Sequence, residues 1–577
     1  MAAKKLQRNE INNPKGVIKR ALMKVAGEKV VELEVPTDPA HGDYASNIAM
    51  AMFSSLQIPN PKSQINSKFK KMNFGTPADL ARAIKEELIE LTELNRVVGK
   101  VEVTGLGFID FWLSEKYLRD NLGAIVEKKS SYGRSEILKN KKILLEHTSP
   151  NTVKTLHVGH ARNNVLGMAI HNILEFAGAR VTMDAINNDR GIHVMKAVWA
   201  YQKFGRGKTP ESEKTKPDHF VDKFYTLGVR HEEDEGVRDE TRELLRKWEA
   251  GDKEVRIVWK KLRDWTLEGF AQTYRRLGSR HDHEWYESNF YEEGREIARE
   301  GLARGVFKKL EDGAILSDLA RYGLTDSVIL RADGTTMYHT QDLRLTQLKR
   351  EHFPSDLYIW DIGPEQTLYL KQLFAMLEAL GIGERGDYLH LPYGFVYLKG
   401  HGKMSSRAGN VVSADELMDE MIKKASAFTG GSPKLDGAVG IGALKYALLK
   451  LARTTSLHFD IDESLSLEGN SGPYLQYTAA RANSVLLKAK FSSTNFQSAS
   501  RRTKFKINNE EALLLRHFVH FQEAVEDAAV SYAPNLVANY LYELARRFNT
   551  FYAKHRIINH QSSIISGSPS PSQQAKS

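Results

Sequence analysis

The stretch from Lys141 to Ile186 constrains the fold more than any other. Lys141–Glu146 (KKILLE) contains a short apolar run, which reads as a strand buried on both faces. A loop containing Pro150 follows, then a helical pattern from Gly159 to Ala177, then a second strand pattern over Arg180–Ile186. Strand, helix and strand at this spacing predict a right-handed βαβ unit and so a parallel sheet. Strand character returns at Ser327–Thr336 and Asp356–Asp361, with a helix near Gln366–Leu380. These predict a second α/β half. Residues 200–300, between the halves, are polar and mostly helical and read as an insertion, with surface loops at Ser212–Pro217 and Arg230–Glu240.

The flanks read differently. Gly16–Gly27 has a helical pattern, Glu28–Val35 alternates like a strand, Ala78–Leu94 is helical, and Val101–Leu113 reads as strand, turn, strand. Together they predict a small α+β domain over residues 1–125, followed by a polar, basic linker at 126–140. From Asp436 onward Ala438–Thr454, Pro473–Lys488, Glu510–Val530 and Pro534–Tyr552 are helical, which predicts an α-helical bundle over 436–560. Residues 561–577 are rich in Ser, Pro and Gln, the composition of a disordered tail. A Rossmann-like parallel-sheet domain over 126–435 completes the layout. For 577 residues, about three or four domains is the ordinary division.

Composition narrows the functional classes. The chain has no cysteine, which removes disulfides, thiolate chemistry and Cys-containing zinc sites. Its N-terminus, MAAKKLQRNE, is charged and lacks the apolar core of a secretory signal. No apolar run is long enough to span a membrane. A cytoplasmic location is the expectation. The formal charge of +10 suits a polyanionic partner, though a lysine-rich solvated surface has the same composition.

Two short motifs carry chemistry. His157 and His160 lie three positions apart, on one face of a first helical turn, with Gly159 allowing a flat group close to the backbone. A helix N-terminus after a buried strand is a ready anion site, and Lys154 adds a positive charge just upstream. This suits ATP. Lys403-Met404-Ser405-Ser406-Arg407, between Gly402 and Gly409, is a basic loop suited to clamping pyrophosphate as charge develops on a transferring phosphoryl group. Either motif alone arises often by chance. The two in this order, in two halves of one α/β domain, are specific. Gly207-Lys208-Thr209 resembles the end of a P-loop, but Gln202 stands where the earlier glycine is required. His281-Asp282-His283-Glu284 is the densest ligand cluster, yet alternating neighbours rarely converge on one ion, so no protein-held metal is expected. Magnesium would arrive with ATP.

At this point the chain resembles the arginyl-tRNA synthetases, within the class I aminoacyl-tRNA synthetases. The resemblance rests on several strings in order. Glu146-His147-Thr148-Ser149-Pro150-Asn151-Thr152-Val153-Lys154-Thr155-Leu156-His157-Val158-Gly159-His160 is similar to the family's extended first signature. Asn187-Asn188-Asp189-Arg190-Gly191, Tyr338-His339-Thr340-Gln341-Asp342 and Gly363-Pro364-Glu365-Gln366 follow. Gly469 to Tyr477 (GNSGPYLQY) resembles the entry to the anticodon-binding helices. His41 to Asn47 (HGDYASN) resembles the N-terminal domain that contacts the tRNA elbow. The resemblance covers about residues 15–555.

The resemblance implies arginyl-adenylate formation from arginine and ATP, then transfer to the 2′-hydroxyl of the terminal adenosine of tRNA(Arg). It implies that Asp342 and Tyr338 bind the guanidinium, with Glu146 a second pocket carboxylate. Ser149, Asn151 and Gln366 would hold the α-amino and α-carboxylate groups. Lys154, His157, Gly159 and His160 would hold ATP, with Lys403, Met404, Ser405 and Arg407 closing over the pyrophosphate. For tRNA it points to Asn47, Gln476, Arg481, Arg546 and Arg547. No tightly bound cofactor is implied, and the expected state is a monomer. On the residues alone, Asp342 could be only a helix cap, Tyr338 plain core and Gln366 an exposed helix residue. Tyr540, Phe548 and Phe551 could be core rather than base-stacking rings. Two departures stand out: Ser406 replaces the family's usual signature lysine, for which Lys154 could compensate, and a polar Ser/Pro tail replaces a further apolar helix after about Asn559, which leaves either an anticodon domain lacking a helix or a truncated or frame-shifted product. A class I synthetase for glutamate or lysine, or a non-catalytic tRNA-binding relative, are the alternatives.

Overall fold

The structure, a computed structural model, describes residues 13–27, 31–57, 65–335, 337–399, 412–489, 507–555 and 557. The chain divides into two compact units, one of Met1–Ile137, Tyr477–Glu526 and Tyr540–Ser577, the other of Leu138–Gln476 and Asp527–Asn539.

The first unit is built on a three-stranded antiparallel sheet of β1 (Tyr44–Ser46), β2 (Val98–Thr104) and β3 (Phe108–Leu113), in the order β1-β3-β2. Helices Pro14–Ala26, Ile48–Gln57 and Pro77–Ile89 close over it, burying Ile18, Leu22, Ile48, Leu80, Ile84 and Leu88 with Ile109 and Phe111 of β3. The first helix starts with Asn13 accepting from Gly16 N at 2.6 Å and stops at the left-handed Gly27. Part of the C-terminal sequence joins this core: Leu515 and Val519 pack into it, and the Tyr44 hydroxyl donates to Glu523 at 2.6 Å. Helix Glu115–Lys128 runs into the segment expected to be a linker from residue 126. The single helix expected over Glu510–Val530 is two, Asn509–Val519 and Phe521–Ser531. The Asn508 side chain accepting from Glu511 N starts the first of them.

The second unit carries a five-stranded parallel sheet of β4 (Lys142–His147), β5 (Arg180–Asn187), β6 (His283–Tyr286), β10 (Leu357–Asp361) and β11 (Tyr388–His390). Its order is β11-β10-β4-β5-β6. The chain therefore starts at the centre, winds outward through β5 and β6, then crosses back to β10 and β11. Neighbours β4 and β10 are where the winding direction reverses, and in such sheets ligands sit beyond the carboxyl ends of the strands at that point. Helices Val158–Phe176 and Thr367–Ala379 follow β4 and β10. They pack into separate cores, one holding Val158, Ala161 and Val165, the other Leu370, Leu373 and Leu377. Gly167 lets the first of these helices pass close to β4, since a Cβ there would lie 2.4 Å from the His147 ring.

Two expectations are corrected. The strand expected over Ser327–Thr336 shrinks to β9 (Val328–Leu330), which joins β7 (Phe307–Lys309) and β8 (Ile315–Ser317) in a separate antiparallel sheet. Turns at Gly313, between β7 and β8, and at Gly323, between β8 and β9, both with positive φ, make this a meander rather than a limb of the parallel sheet. The insertion also ends before residue 300, because His283–Tyr286 is the edge strand β6. Asp184↔His283 and Asn187↔Tyr286 are in register, and Met183 N donates to the Asp282 carboxylate at 2.8 Å. His281, before the strand, packs 4.5 Å from the His147 ring, whereas Glu284 is exposed.

The insertion is otherwise helical: Ile192–Phe204, Pro217–Arg230, Val237–Glu249 and Lys253–Leu277. The segment holding Gly207, Lys208 and Thr209 is a turn following the first of these helices, not a strand-to-helix loop. An ion-pair network joins the insertion to helix Ala414–Thr429. The Lys216 ammonium lies 2.7 Å from Asp415 and 3.1 Å from Asp218, and Arg276 reaches Asp415 at 2.7 Å. Asp218, His219 and Asp415 form the one cluster among the described residues with metal-like spacing, and a lysine ammonium already sits among them. The boundary expected near residue 435 falls in the first turn of helix Pro433–Leu449, and β13 (Leu457–Phe459) pairs with β12 (Val396–Leu398). Residues 561–577 lie outside the described residues. No described helix is long and apolar enough to cross a membrane.

Candidate active site

The loop leaving β4 ends in an unusual helix cap. His157 is the N-cap of helix Val158–Phe176, and its Nδ1 accepts from His160 N at 3.3 Å. In return, His160 Nδ1 accepts from His157 N at 3.1 Å. This is the reciprocal arrangement of a capping box, made by two imidazoles. The rings stack with centroids 3.8 Å apart. Burial, and then the Lys154 ammonium, push His157 down to about 4. Burial, His157 and Lys154 push His160 well below its ordinary range. Both rings are therefore neutral at pH 7. Because each Nδ1 accepts, each proton sits on Nε2, which leaves two Nε2–H donors at the helix N-terminus. Gly159 does admit a flat group, and that group is the His157 ring itself: a Cβ at 159 would lie 2.8 Å from His157 Cε1. Lys154 lies 5.0 Å over the Tyr225 ring.

The same turn is tied to the start of the next long helix. Val158 N donates to Val412 O at 3.3 Å, Ala414 N donates to Leu156 O at 2.7 Å, and His157 and Ser413 form an antiparallel bridge. Lys403, Met404, Ser405 and Arg407 precede this junction in the chain and lie outside the described residues.

An acidic pocket lies at the carboxyl ends of β4 and β5. Glu146, the penultimate residue of β4, is buried. Its Oε1 accepts from Ser149 Oγ at 3.0 Å and its Oε2 from Lys349 Nζ at 2.5 Å. Ser149 Oγ in turn accepts from Ile186 N at 3.2 Å. Asp342 lies in the second turn of helix Tyr338–His352, past the cap position, so the helix-cap role is excluded. Burial pushes its carboxyl up to about 7, opposed by the hydrogen bond that the Tyr369 hydroxyl donates and reinforced by the charge of Glu146. His339 stacks on the Tyr369 ring at 4.1 Å. Glu287 is raised to about 7 by burial against the nearby Arg190. Asn151 pairs with Asn188 in a short parallel bridge. Tyr338 is 70 % exposed, so it is not core, and Gln366 is exposed at the end of the short 3-10 helix Pro364–Gln366.

Several participants escape sequence reading. Lys349 lies two helical turns beyond Asp342, and that spacing was the available signal. Asp184, flanked by Met183 and Ala185 in β5, and Asp361, ending the apolar run of β10, are a second signal. Asp361 closes β10 fully buried, and neither carboxylate oxygen has a hydrogen-bond partner among the described residues. Burial pushes it up to about 8, against the pull of Arg453 and Arg162.

The residues expected to touch tRNA divide. Asn47 is exposed, its carbonyl accepting from Met50 N and Ala51 N at a helix start. Gln476 donates to Ala438 O at 2.9 Å. Arg481 is held between the Tyr477 and Tyr552 rings, 4.7 and 4.8 Å from their centroids, and donates to Asn549 at 2.6 Å. It therefore fastens helix Gly472–Lys488 to helix Pro534–Lys554. Arg546 and Arg547 both pair with Glu543. Tyr540 is buried and its hydroxyl donates to His517 O at 3.0 Å, a core position, whereas Phe548 and Phe551 are half-buried.

Three family models match in succession: the arginyl tRNA synthetase N terminal domain over residues 12–113, the class I (R) tRNA synthetase catalytic domain over 121–461, and the DALR anticodon binding domain over 475–566. The chain is 36 % identical to the arginine–tRNA ligase of Treponema denticola over 566 residues, covering 96 % of this chain and 92 % of that protein. It is also 36 % identical to that of Parabacteroides distasonis over 527 residues, covering 85 % and 86 %. The fold is shared with the arginyl-tRNA synthetase of Thermus thermophilus, at a TM-score of 0.70 and 23 % identity over 94 % of this chain and 91 % of that one. For the Plasmodium falciparum enzyme the TM-score is 0.71 at 18 % identity, over 94 % and 92 %. The chain belongs to the arginine–tRNA ligase family of class I aminoacyl-tRNA synthetases.

Proposed function

We propose that this protein joins L-arginine to tRNA(Arg) at the expense of ATP. The observation that carries the reading is the pairing of two sites where the sheet reverses direction: a carboxylate pair (Glu146 buried, Asp342 half-buried) and, one loop away, a helix N-terminus bearing two neutral imidazole donors. The pocket has one ammonium, Lys349, among Glu146, Asp184 and Asp342. A guanidinium brings the charge and the planar fork that such carboxylates recognise.

In the first step the arginine carboxylate oxygen attacks the α-phosphorus of ATP, and the bond to the β-phosphate oxygen breaks, releasing pyrophosphate. His157 and His160 donate Nε2–H to phosphate oxygens, and Lys154 adds a fixed charge. Lys403 and Arg407, with Met404 and Ser405, close over the pyrophosphate. No protein nucleophile is needed, so the acceleration comes from positioning and charge stabilisation. Ser149, Asn151 and Gln366 hold the amino-acid backbone, while Asp342, Tyr338 and Glu146 hold the side chain, with Tyr369 orienting Asp342. In the second step the 2′-hydroxyl of the terminal adenosine attacks the acyl carbon and AMP leaves.

Magnesium fits this scheme as an ion carried by ATP. The phosphate side of the site offers imidazole and ammonium donors rather than a carboxylate cage, and the ion would shield the phosphate charge. We assign tRNA-elbow contact to residues 1–125, catalysis to 126–435 and anticodon contact to 436–560, in a cytoplasmic monomer. ATP–pyrophosphate exchange with total tRNA present tests the reading. Exchange should depend on arginine, and exchange supported by glutamate or lysine instead would sink it.

A further inference from the structure

Lys349 has no part in the scheme above, yet it is the most buried ammonium near the site, 1 % exposed. It reaches the sheet from helix Tyr338–His352 and ends between two carboxylates, 2.5 Å from Glu146 Oε2 and 2.8 Å from Asp184 Oδ2. These two acids are register partners on the adjacent strands β4 and β5. The Trp285 indole N–H donates to the same Asp184 oxygen at 2.7 Å, and the Trp360 ring lies 5.3 Å from the ammonium. Lys349 is thus fixed from three elements. The other Glu146 oxygen accepts from Ser149 Oγ at 3.0 Å.

We propose that Lys349 is a positioning residue for arginine selection, acting through Glu146 and not on the substrate. It holds one carboxylate oxygen so that the other faces the guanidinium or ammonium group of the incoming arginine. It also places a positive charge between two buried carboxylates that would otherwise repel each other. Two other titratable groups feel its charge, Asp342 from its own helix and His283 from β6. Neither replaces the Lys349 bridge, since the ion pairs to Glu146 and Asp184 are both its own.

The inference rests on the proposed role of Glu146, so the test separates the two. Arginine and ATP KM are measured by tRNA charging for Glu146→Gln, Lys349→Met and the double variant. Lys349→Met should raise the arginine KM about tenfold or more with the ATP KM nearly unchanged. The double variant should match Glu146→Gln alone, because a residue acting through Glu146 has nothing left to position. Should Lys349→Met fail to fold, the comparison of the double variant with Glu146→Gln still decides. A further loss of about tenfold in the double variant, or equal losses for ATP and arginine, overturns the role of Lys349 while leaving Glu146 in place. An unchanged arginine KM in Glu146→Gln overturns both.

Discussion

Arginine affinity should depend on pH through Asp342. Burial pushes this carboxyl up to about 7 in the unliganded pocket. A guanidinium binds the ionised form, so the apparent dissociation constant scales with the reciprocal of the ionised fraction. With a value near 7, about a tenth of the protein is competent at pH 6 and about nine tenths at pH 8. Arginine should therefore bind about tenfold more tightly at pH 8 than at pH 6, and the gain should level off above pH 8. The sign follows from the raised carboxyl: the free pocket holds the proton that arginine displaces, so binding releases a proton below pH 7. Equilibrium dialysis with labelled arginine at pH 6, 7 and 8, at constant ionic strength, measures the slope. Glu287 is also pushed up to about 7, chiefly by burial, so it contributes a second titration in the same range. Asp342→Asn assigns the effect, since it should weaken binding and flatten the slope together. A flat profile in the unaltered protein, or a slope that survives Asp342→Asn, would refute the reasoning.

Other substitutions probe separate parts of the account. Gly159→Ala puts a Cβ 2.8 Å from the His157 ring. It should break the imidazole cap, lower stability by about 1–2 kcal/mol in thermal unfolding and raise the ATP KM more than the arginine KM. Lys154→Ala should slow adenylate formation in pre-steady-state assays if it compensates for Ser406, and an unchanged rate removes that role. Arg481→Ala removes contacts to Asn549 and two tyrosine rings. It should cost about 1–3 kcal/mol in stability, with any loss of tRNA affinity following from helix separation. A selective loss of tRNA binding at unchanged stability would instead favour direct phosphate contact.

The legible parts of this fold are those where local pattern and burial agree. The apolar run through Leu145 reads as a buried strand and is one, and the helix from Val158 and the strand from Arg180 follow within a residue or two of their expected starts. β6 was hidden because an edge strand needs little apolar surface: His283-Glu284-Trp285-Tyr286 buries one residue fully. The short strands β7 to β9 were hidden because three-residue strands carry no period. At the site, His157 and Glu146 were legible as motif members. The Tyr369 contact to Asp342 and the Lys349 bridge were not, because each joins residues through tertiary packing, and the three-residue spacing of His157 and His160 predicts a shared face but not the reciprocal imidazole cap. The aromatic residues of the C-terminal helices show the same limit. Tyr540 packs inward and Tyr552 clamps Arg481, although both have the composition of a nucleic-acid surface.

The central claim is that the carboxylate pocket beside the imidazole-capped helix selects arginine for attachment to tRNA. Charging of total tRNA with labelled arginine, with each other amino acid offered in parallel, tests it most directly. Acid-precipitable label should appear with arginine alone and disappear in Asp342→Ala at the same arginine concentration. Label incorporated from another amino acid, or tRNA bound without any charging, would contradict the account.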